Sequence, residues 1–286
     1  LGEIYAPLKG LRYRFNFGPD FRYYRNGTFR NEESISSEGK NRASLSNQSD
    51  FSWTLDNLIY YDKEFGKHSV GLTLLQSATG YHYEESSMAA EGIPLESAKW
   101  NALSKENVSL LDEWNSGLIE KQLLSYMFRV NYDYNNKYLL TVSGRWDGAS
   151  QLAEGNKWAF FPIAALGWRP QPVPTLLHQL KFRLGVGVTG NSAIDPYQTK
   201  GAIVSLYYPF GSALAPGYAA SEPLIKDGAV AMANKNLSWE KTTQYNIGLD
   251  YSVLNGRISG VLDFYTSRTT DLLMAMTIPS FNGYTN

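Results

Sequence analysis

Residue types capable of catalysis or metal binding are sparse in this chain. Its 286 residues include three histidines and no cysteine. The histidines are His68, His82 and His178, which are far apart in sequence. Only His82-x-Glu84 has the spacing of a metal-ligand pair. With no further ligand nearby, we expect a solvated loop there and predict no metal site, and the lack of cysteine excludes a thiolate nucleophile.

Adjacent carboxylates are the second set of groups with chemical potential. They occur at Glu32-Glu33, Glu84-Glu85 and Asp112-Glu113, and paired carboxylates can perform acid–base hydrolysis. All three pairs fall in segments that read as long connections. A charged, solvated loop is the commoner explanation, and the members of a hydrolytic pair need not be adjacent. We therefore predict no catalytic residues and no enzymatic activity.

A glycine motif, Gly185-x-Gly187-x-x-Gly190, matches the dinucleotide-binding fingerprint letter by letter. That fingerprint requires a helix to begin at the motif and an acidic residue about 20 positions later. Here the following residues, NSAIDPYQTKG, read as a loop containing a proline, and no acidic residue stands near position 210. Small residues on a strand explain the motif better, so we predict no cofactor.

The elements that would position any site are two-faced strands. The clearest case is the segment 122–148, in which apolar and polar residues alternate through two runs joined at Asn135-Asn136-Lys137. This alternation predicts a β-hairpin with one apolar and one polar face. Each run has about ten residues, close to the ~9–11 that a tilted strand needs to cross a bilayer. The hairpin therefore indicates the wall of a membrane barrel.

The same pattern recurs along the chain, and the connections alternate in length. Short connections are predicted at 6–10, 62–67, 135–137, 169–179 and 254–257, and long ones at 18–50, 78–119, 148–157 and 190–238. Short turns on one side and long loops on the other are typical of outer-membrane barrels, with tight periplasmic and elaborate extracellular ends. Asn255-Gly256 predicts a two-residue hairpin, and Pro162 predicts a bulge or bend within its strand. The fold class is therefore all-β, an antiparallel transmembrane barrel wall of about ten strands.

Two sets of side chains follow from the parity of these strands. Aromatic residues beside the connections are candidates for membrane girdles. They are Tyr132, Tyr134, Tyr138, Trp168 and Tyr251 beside short turns, and Trp146 and Trp158 beside long loops. Charged residues of the polar parity would line the lumen, where we favour structural ion pairs and hydration over direct substrate contact. They are Arg129, Asp133, Arg145, Asp147, Lys181, Arg183, Asp250 and Asp263.

A further set of aromatic residues lies in the predicted long loops. Their rings could stack on sugar faces, pack against a partner protein or pack within the loop itself. They are Tyr81, Tyr83, Trp100, Trp114, Tyr207 and Tyr208. Because aromatics make up 14% of the chain, a soluble β-rich domain that binds or cleaves glycans is an alternative to the barrel. The net charge of -1 implies no nucleic-acid partner.

Four segments resemble successive barrel motifs of SusC-type (RagA-like) TonB-dependent outer-membrane transporters of Bacteroidetes. They are YNNKYLLTVSGRWDGAS, NKWAFFPIAALGWRP, LKFRLGVGVTGNSAI and NLSWEKTTQYNIGLDYSVLNGRISGVLDFYTSRTTDLL. The segments occur in the family's order with plausible spacing. The resemblance is specific over about residues 120–286 and looser over residues 1–120. Pro162 falls within the aromatic-Phe-Pro motif of the family.

The resemblance implies a 22-stranded barrel with a plugged lumen in the outer membrane. It implies that residues 1–286 are part of one such barrel domain, an internal fragment without the plug domain and the C-terminal strands. The expected function is TonB-dependent import of a large nutrient, most often a glycan, with peptides as the chief rival. The expected partners are a SusD-like surface lipoprotein, the TonB complex through the missing plug region, and outer-membrane lipid.

Overall fold

The computed structural model describes most of the chain. The described residues are 2–5, 7–35, 38–93, 96–104, 110–171, 177–199, 205–210, 213–218, 223–226 and 229–274. They divide into two compact units. The first unit comprises Leu1–Asn16, Leu55–Ala78 and Gln122–Asn286, and the second comprises Phe17–Thr54 and Thr79–Lys121. Among the described residues, no helix has the length and apolar character needed to cross a membrane.

Strands account for nearly all of the regular structure among the described residues. They are β1 (Gly2–Tyr5), β2 (Leu11–Arg30), β3 (Arg42–Phe65), β4 (His68–Glu91), β5 (Leu110–Tyr134), β6 (Tyr138–Ala149), β7 (Trp158–Trp168), β8 (Leu177–Asn191), β9 (Ser205–Phe210), β10 (Ala213–Tyr218), β11 (Pro223–Lys226), β12 (Ala229–Met232), β13 (Glu240–Val253) and β14 (Ile258–Thr270). Short 3₁₀ helices occupy Glu96–Asn101 and Leu254–Gly256.

Ten of these strands form one antiparallel sheet in the order β1-β2-β3-β4-β5-β6-β7-β8-β13-β14. Neighbours in the sheet are neighbours in sequence except at β8 and β13. The connection between those two strands contains two separate hairpins, β9–β10 and β11–β12. The prediction of an all-β wall of about ten antiparallel strands is confirmed.

The strands fall into two length classes. β6, β7, β8, β13 and β14 contain 11 to 15 residues, enough to cross a bilayer with little excess. β2 to β5 contain 20 to 25 residues. The halves of these four strands that lead to the long connections make up the second unit.

The long strands correct the loop boundaries expected from sequence. The predicted loop at 18–50 is mostly strand, because β2 continues to Arg30 and β3 begins at Arg42. The predicted loop at 78–119 is also largely strand, because β4 runs to Glu91 and β5 starts at Leu110. Apolar and polar residues are mixed on both faces of these segments, as at Tyr23-Tyr24-Arg25. The alternation that marks a strand with one apolar face is therefore missing there, although the backbone still pairs.

The hairpin of β5 and β6 has the register that the alternation requires. Tyr126 pairs with Trp146, Val130 with Val142, and Tyr134 with Tyr138. β7 continues the pattern, with Val142 opposite Ala164. Large apolar side chains of this parity are exposed on β5, β6, β7, β8 and β13. Examples are Phe128 (40%), Leu166 (55%), Leu184 (52%) and Ile247 (59%). Such an exposed apolar face suits a lipid environment.

The tight turns depend on residues that tolerate positive φ. Asn135 and Asn136 have φ of 54° and 53°, values at which asparagine is several-fold enriched over other non-glycine residues. The Asp133 carboxylate accepts a hydrogen bond from the Asn136 backbone N–H at 2.7 Å. The β13–β14 connection occupies the predicted residues 254–257, but it is not the two-residue hairpin that Asn255-Gly256 predicts. Val253 pairs with Ile258, so four residues and not two form this connection.

A buried cluster of the first unit lies where β6 and β7 meet their connection. It contains Ala149, Leu152, Ala159, Phe161 and Trp239. The rings of Phe161 and Trp239 meet edge to face with centroids 5.2 Å apart, and the Trp239 indole donates a hydrogen bond to the Lys157 carbonyl at 2.8 Å. Trp239 thereby attaches the end of the long β8–β13 connection to the β6–β7 loop.

Pro162 interrupts pairing on one side of β7. The ladder between β7 and β8 covers Ile163 to Trp168 and stops beside the proline. The ladder between β7 and β6 continues past it, with Gly144 opposite Pro162 and Gly148 opposite Trp158. Proline has no backbone N–H to donate to a ladder, which accounts for the loss of pairing with β8.

Val130 and Asn131 give a test of which face meets lipid. Val130 pairs with Val142 on the apolar face, so Val130→Arg should reduce the folding free energy by about 2–4 kcal/mol if this position lies near the bilayer midplane. Asn131→Arg, on the opposite face, is the matched control and should cost little. The measurement is the folded fraction of the full-length protein in lipid vesicles across a denaturant series. Equal tolerance of both variants would contradict a lipid-facing Val130.

Candidate functional site

The face opposite the apolar face carries the charged residues that the sequence predicts to line a lumen. One group lies on β5 and β6. The Arg145 guanidinium donates from Nε to both carboxylate oxygens of Asp147, at 2.7 and 2.9 Å, and from Nη2 to the Ser125 hydroxyl at 2.9 Å. Asp147 and Ser125 are buried, with 7% and 1% of their surface exposed. The carboxylate is thus held by one arginine in a largely desolvated position.

A second group spans β8, β13 and β14. Arg183 donates to Asp250 from Nε at 2.9 Å and lies 3.0 Å from an oxygen of Asp263 through Nη2. Gly248 stands opposite both Arg183 and Asp263 in the register. A Cβ at this glycine would lie 2.6 Å from the Asp263 carboxylate and 2.7 Å from the guanidinium carbon. The glycine therefore leaves the space in which the three charged groups meet.

The other charged candidates occupy the same face without joining these groups. Lys181 pairs with Asp250 in the register. Asp133 is committed to the β5–β6 turn through Asn136. Arg129 is exposed opposite Ser143. The structure therefore gathers Arg145 with Asp147, and Arg183 with Asp250 and Asp263. The role of all eight residues in lining a lumen stays a prediction.

Aromatic contacts gather at both ends of the apolar face. Near the short turns, the rings of Tyr134 and Tyr138 stack at 6.5 Å and those of Trp168 and Phe182 at 5.5 Å. The Tyr132 hydroxyl lies 2.7 Å from His68 Nδ1. The Tyr251 hydroxyl lies over Gly260.

Near the long connections, Tyr126 stacks on Trp158 at 6.3 Å and Trp146 meets Phe160 edge to face at 6.2 Å. Tyr138 and Trp146 are eight residues apart on β6, or about 26 Å along the strand. Strands in outer-membrane barrels tilt by about 35–45°, so this length spans roughly 20 Å of membrane height, somewhat less than the ~25 Å apolar band. The assignment of these rings to membrane girdles remains a prediction from sequence.

Tyr81 and Tyr83 lie within β4, so their assignment to a loop was wrong. The Tyr81 hydroxyl donates to Asp50 at 2.9 Å and the Tyr83 hydroxyl to Glu85 at 2.7 Å. Lys121 Nζ lies 5.2 Å from the centroid of the Tyr81 ring.

Burial raises the pKa of Tyr81. The hydrogen bond to Glu85 is the main cause that raises the pKa of Tyr83 to about 12. Both phenols are therefore neutral hydrogen-bond donors at physiological pH.

His82, between them in sequence, points to the opposite face of β4. Its Nδ1 lies 3.0 Å from Glu120 and its Nε2 3.2 Å from Glu84. The bond to Glu120 is the main cause that raises the pKa of His82, with Glu84 next. The sequence placed His82 in a solvated loop, whereas it bridges two paired strands. In the described part of the chain, no group of three or more histidine, aspartate or glutamate side chains has an arrangement that could hold a metal ion.

The remaining loop aromatics have different settings. Trp114 belongs to β5 and not to a loop, and 81% of it is exposed. Trp100 is in the 3₁₀ helix of the β4–β5 connection, where its indole covers Gly27. Tyr207 and Tyr208 belong to β9, and their side chains lie outside the described part of the structure. Sequence reasoning overlooked Asp50 and Lys121, because only strand pairing shows that they surround Tyr81.

The Arg145 group gives a stability prediction. Arg145→Met removes every hydrogen bond described for the Asp147 carboxylate, and leaving a buried polar group unsatisfied costs about 1–3 kcal/mol. We expect this loss in the free energy of unfolding, measured by denaturant titration of the full-length protein in detergent. The double variant Arg145→Met with Asp147→Leu should recover part of it, because no buried carboxylate then remains without a partner. No recovery in the double variant would show that Arg145 acts through something other than Asp147.

Comparison with known proteins gives the family. The family described as TonB dependent receptor-like, beta-barrel matches residues 6–286. TonB-dependent receptor P26 of Formosa agariphila is 32% identical over 293 residues, covering 98% of this chain and 28% of the relative. TonB-dependent receptor SusC of Bacteroides thetaiotaomicron is 33% identical over 292 residues, covering 93% of this chain and 27% of the relative. The chain thus spans little more than a quarter of these proteins.

Solved structures agree on the fold. The structure of the RagAB peptide transporter superposes with a TM-score of 0.82 at 22% identity, over 98% of this chain and 30% of that chain. The same protein in its "open-open" state gives a TM-score of 0.81. The expected SusC-type resemblance and the expected outer-membrane location are therefore confirmed. The chain belongs to the TonB-dependent receptor β-barrel family and forms part of the wall of an outer-membrane barrel.

Proposed function

We propose that the protein containing this chain imports a large nutrient across the outer membrane, powered by the TonB complex. The observation that carries this proposal is the family match over residues 6–286. The matched residues form a sheet with one apolar and one charged face. The apolar face contacts lipid and the charged face borders the water-filled passage. The function requires no covalent chemistry and no catalytic residue.

The pairing of charges on the polar face suits a passage. Arg145 pairs with Asp147, and Arg183 pairs with both Asp250 and Asp263, a group that keeps one net negative charge. Charges that satisfy one another bind a passing solute weakly, whereas an isolated charge would hold an ionic solute and slow its release. The pairs keep the wall hydrated and rigid. Arg129 is exposed on this face and is the wall residue we assign to direct contact with solute or plug.

Glycans are the cargo we favour. The resemblance to SusC-type transporters implies glycans most often, and the tyrosines of the second unit supply suitable chemistry. Tyr81 and Tyr83 combine a ring with a neutral hydroxyl, and Asp50 and Glu85 add acceptors for sugar hydroxyls. Aromatic rings stack on the apolar faces of sugars. Peptides are the alternative cargo, favoured by the similarity in fold to the RagAB peptide transporter.

The proposed partners follow from the same family resemblance. A SusD-like lipoprotein would cover the extracellular side and deliver cargo to the second unit. Trp114, with 81% of its surface exposed, is a candidate contact for such a partner. The TonB complex would act through a plug domain.

An uptake experiment separates the two cargo classes. Cells with and without the gene for the full-length protein are supplied with fluorescent oligosaccharides or fluorescent oligopeptides of similar mass. We expect deletion to abolish accumulation of oligosaccharides and to leave peptide uptake unchanged. Deletion of the TonB gene should likewise abolish accumulation of oligosaccharides. Loss of peptide uptake alone would establish the alternative cargo. Unchanged uptake of both classes would argue against the import proposal.

Tyr81 provides a residue-level test of glycan binding. Tyr81→Ala removes the ring and should weaken oligosaccharide binding by about fivefold, since a ring contact contributes about 1 kcal/mol. Tyr81→Phe keeps the ring and should retain most of the affinity. Tyr245→Ala is the matched control, because Tyr245 is an exposed tyrosine on the apolar face. Titration calorimetry with the purified full-length protein measures all three. Equal affinities for wild type and Tyr81→Ala would remove Tyr81 from the binding site.

A further inference from the structure

The apolar face of the first unit contains a groove of about 570 Å³. Ile59 and Leu74 line one side of it, and the rings of Tyr126, Phe128 and Trp146 line the other. Elsewhere on the apolar face, similar apolar side chains stand on a continuous sheet surface. The groove is therefore a concave site on a surface that membrane lipid covers, because the chain is part of an outer-membrane barrel wall.

A glycine holds the aromatic side of the groove in place. Gly144 lies on β6 between Phe128 and Phe160, and both rings lean over it. A Cβ at Gly144 would come within 2.6 Å of the Phe160 ring and 2.7 Å of the Phe128 ring. The two rings can approach the strand this closely only because this position has no side chain. The groove thus has a preformed wall.

A chain of polar groups crosses the groove, on a face that is otherwise apolar. The Tyr13 hydroxyl donates to Asn57 Oδ1 at 2.6 Å, and Asn57 Nδ2 donates to Gln76 Oε1 at 2.6 Å. Within the described part of the chain, Gln76 Nε2 donates to no protein acceptor. An amide donor that faces hydrocarbon without an acceptor costs free energy. The Gln76 amide at the end of this polar chain therefore requires a hydrogen-bond acceptor on the molecule that occupies the groove.

The aromatic residues of the groove define its depth in the membrane. Tyr126 and Trp146 belong to the aromatic contacts near the long connections, where we predict a membrane girdle at the level of the lipid headgroups. Ester and amide carbonyls of lipids lie just inside this level. Gln76 lines the same groove as these two rings, so its amide is placed where a lipid offers an acceptor.

We propose that this groove binds one acyl chain of a membrane lipid, whose ester or amide carbonyl accepts a hydrogen bond from Gln76 Nε2. The methylene groups lie between Leu74 and the Phe128 ring. A sugar or an extended peptide would leave its own polar groups unpaired against these apolar side chains. The proposal rests on the membrane location of the apolar face and is independent of the imported cargo.

Photo-crosslinking tests for a preferred site. The full-length protein is placed in phosphatidylethanolamine vesicles that contain a trace of phosphatidylethanolamine with a diazirine on its acyl chain. After irradiation, adducts are mapped by peptide mass spectrometry. We expect several-fold more adducts on Phe128 and Trp146 than on Leu184 and Ile247, which are exposed to similar extents on the same face. Equal labelling of all four positions would show ordinary boundary lipid only and would overturn the proposal. So would the absence of groove adducts, as expected if protein covers the groove.

Substitutions test the two halves of the site separately. Leu74→Trp fills the groove and should reduce adducts on Phe128, while Leu184→Trp, the same change elsewhere on the apolar face, should leave them unchanged. Gln76→Leu keeps the groove apolar and removes the amide.

For the amide, the probe is offered as an ester-linked lipid and as an ether-linked lipid, which lacks the carbonyl. Wild type should favour the ester form by about threefold, consistent with one net hydrogen bond, and Gln76→Leu should show no preference. A wild-type protein without preference, or a preference that survives in Gln76→Leu, would refute the role of Gln76.

Discussion

Backbone hydrogen bonding between neighbouring strands is the constraint on which the other features depend. A membrane offers no water to unpaired N–H and C=O groups, so each strand that crosses it must pair with a neighbour on both sides. The ladders of β5, β6, β7, β8 and β13 meet this requirement with a register that keeps apolar side chains on one face. A slip of one residue would turn every apolar side chain of a strand toward the polar face. The lipid environment therefore fixes the pairing register of the strands together with the turns.

The polar face follows from the same register. Arg183 stands two strand widths from Asp263, and it reaches both carboxylates because Gly248 leaves the space between them. The apolar face uses glycine in the same way, since Phe128 and Phe160 lie across Gly144. In both places a missing side chain on one strand allows large groups from its two neighbours to meet. Glycine within these strands thus organises contacts that the alternation alone does not reveal.

Much of the wall could be predicted from the sequence, and the failures share one physical cause. The hairpin at 122–148 was evident because one face meets lipid and the other meets water. The extended halves of β2 to β5 lack this clear contrast, so the sequence predicts loops at Tyr81, Tyr83 and Trp114, which lie in strands. The four-residue β13–β14 turn was also misjudged, because Asn-Gly is compatible with more than one turn length.

The sequence by itself determined the fold class, the two faces of the wall and the family, because strand alternation and local motifs are properties of adjacent residues. Only the tertiary structure decided which residues meet across strands. Arg183 is 67 residues from Asp250 in sequence, and Tyr13 is 44 residues from Asn57. Such pairs depend on strand order and register, which are set by the pairing of whole strands. Composition and residue spacing therefore do not predict these pairs.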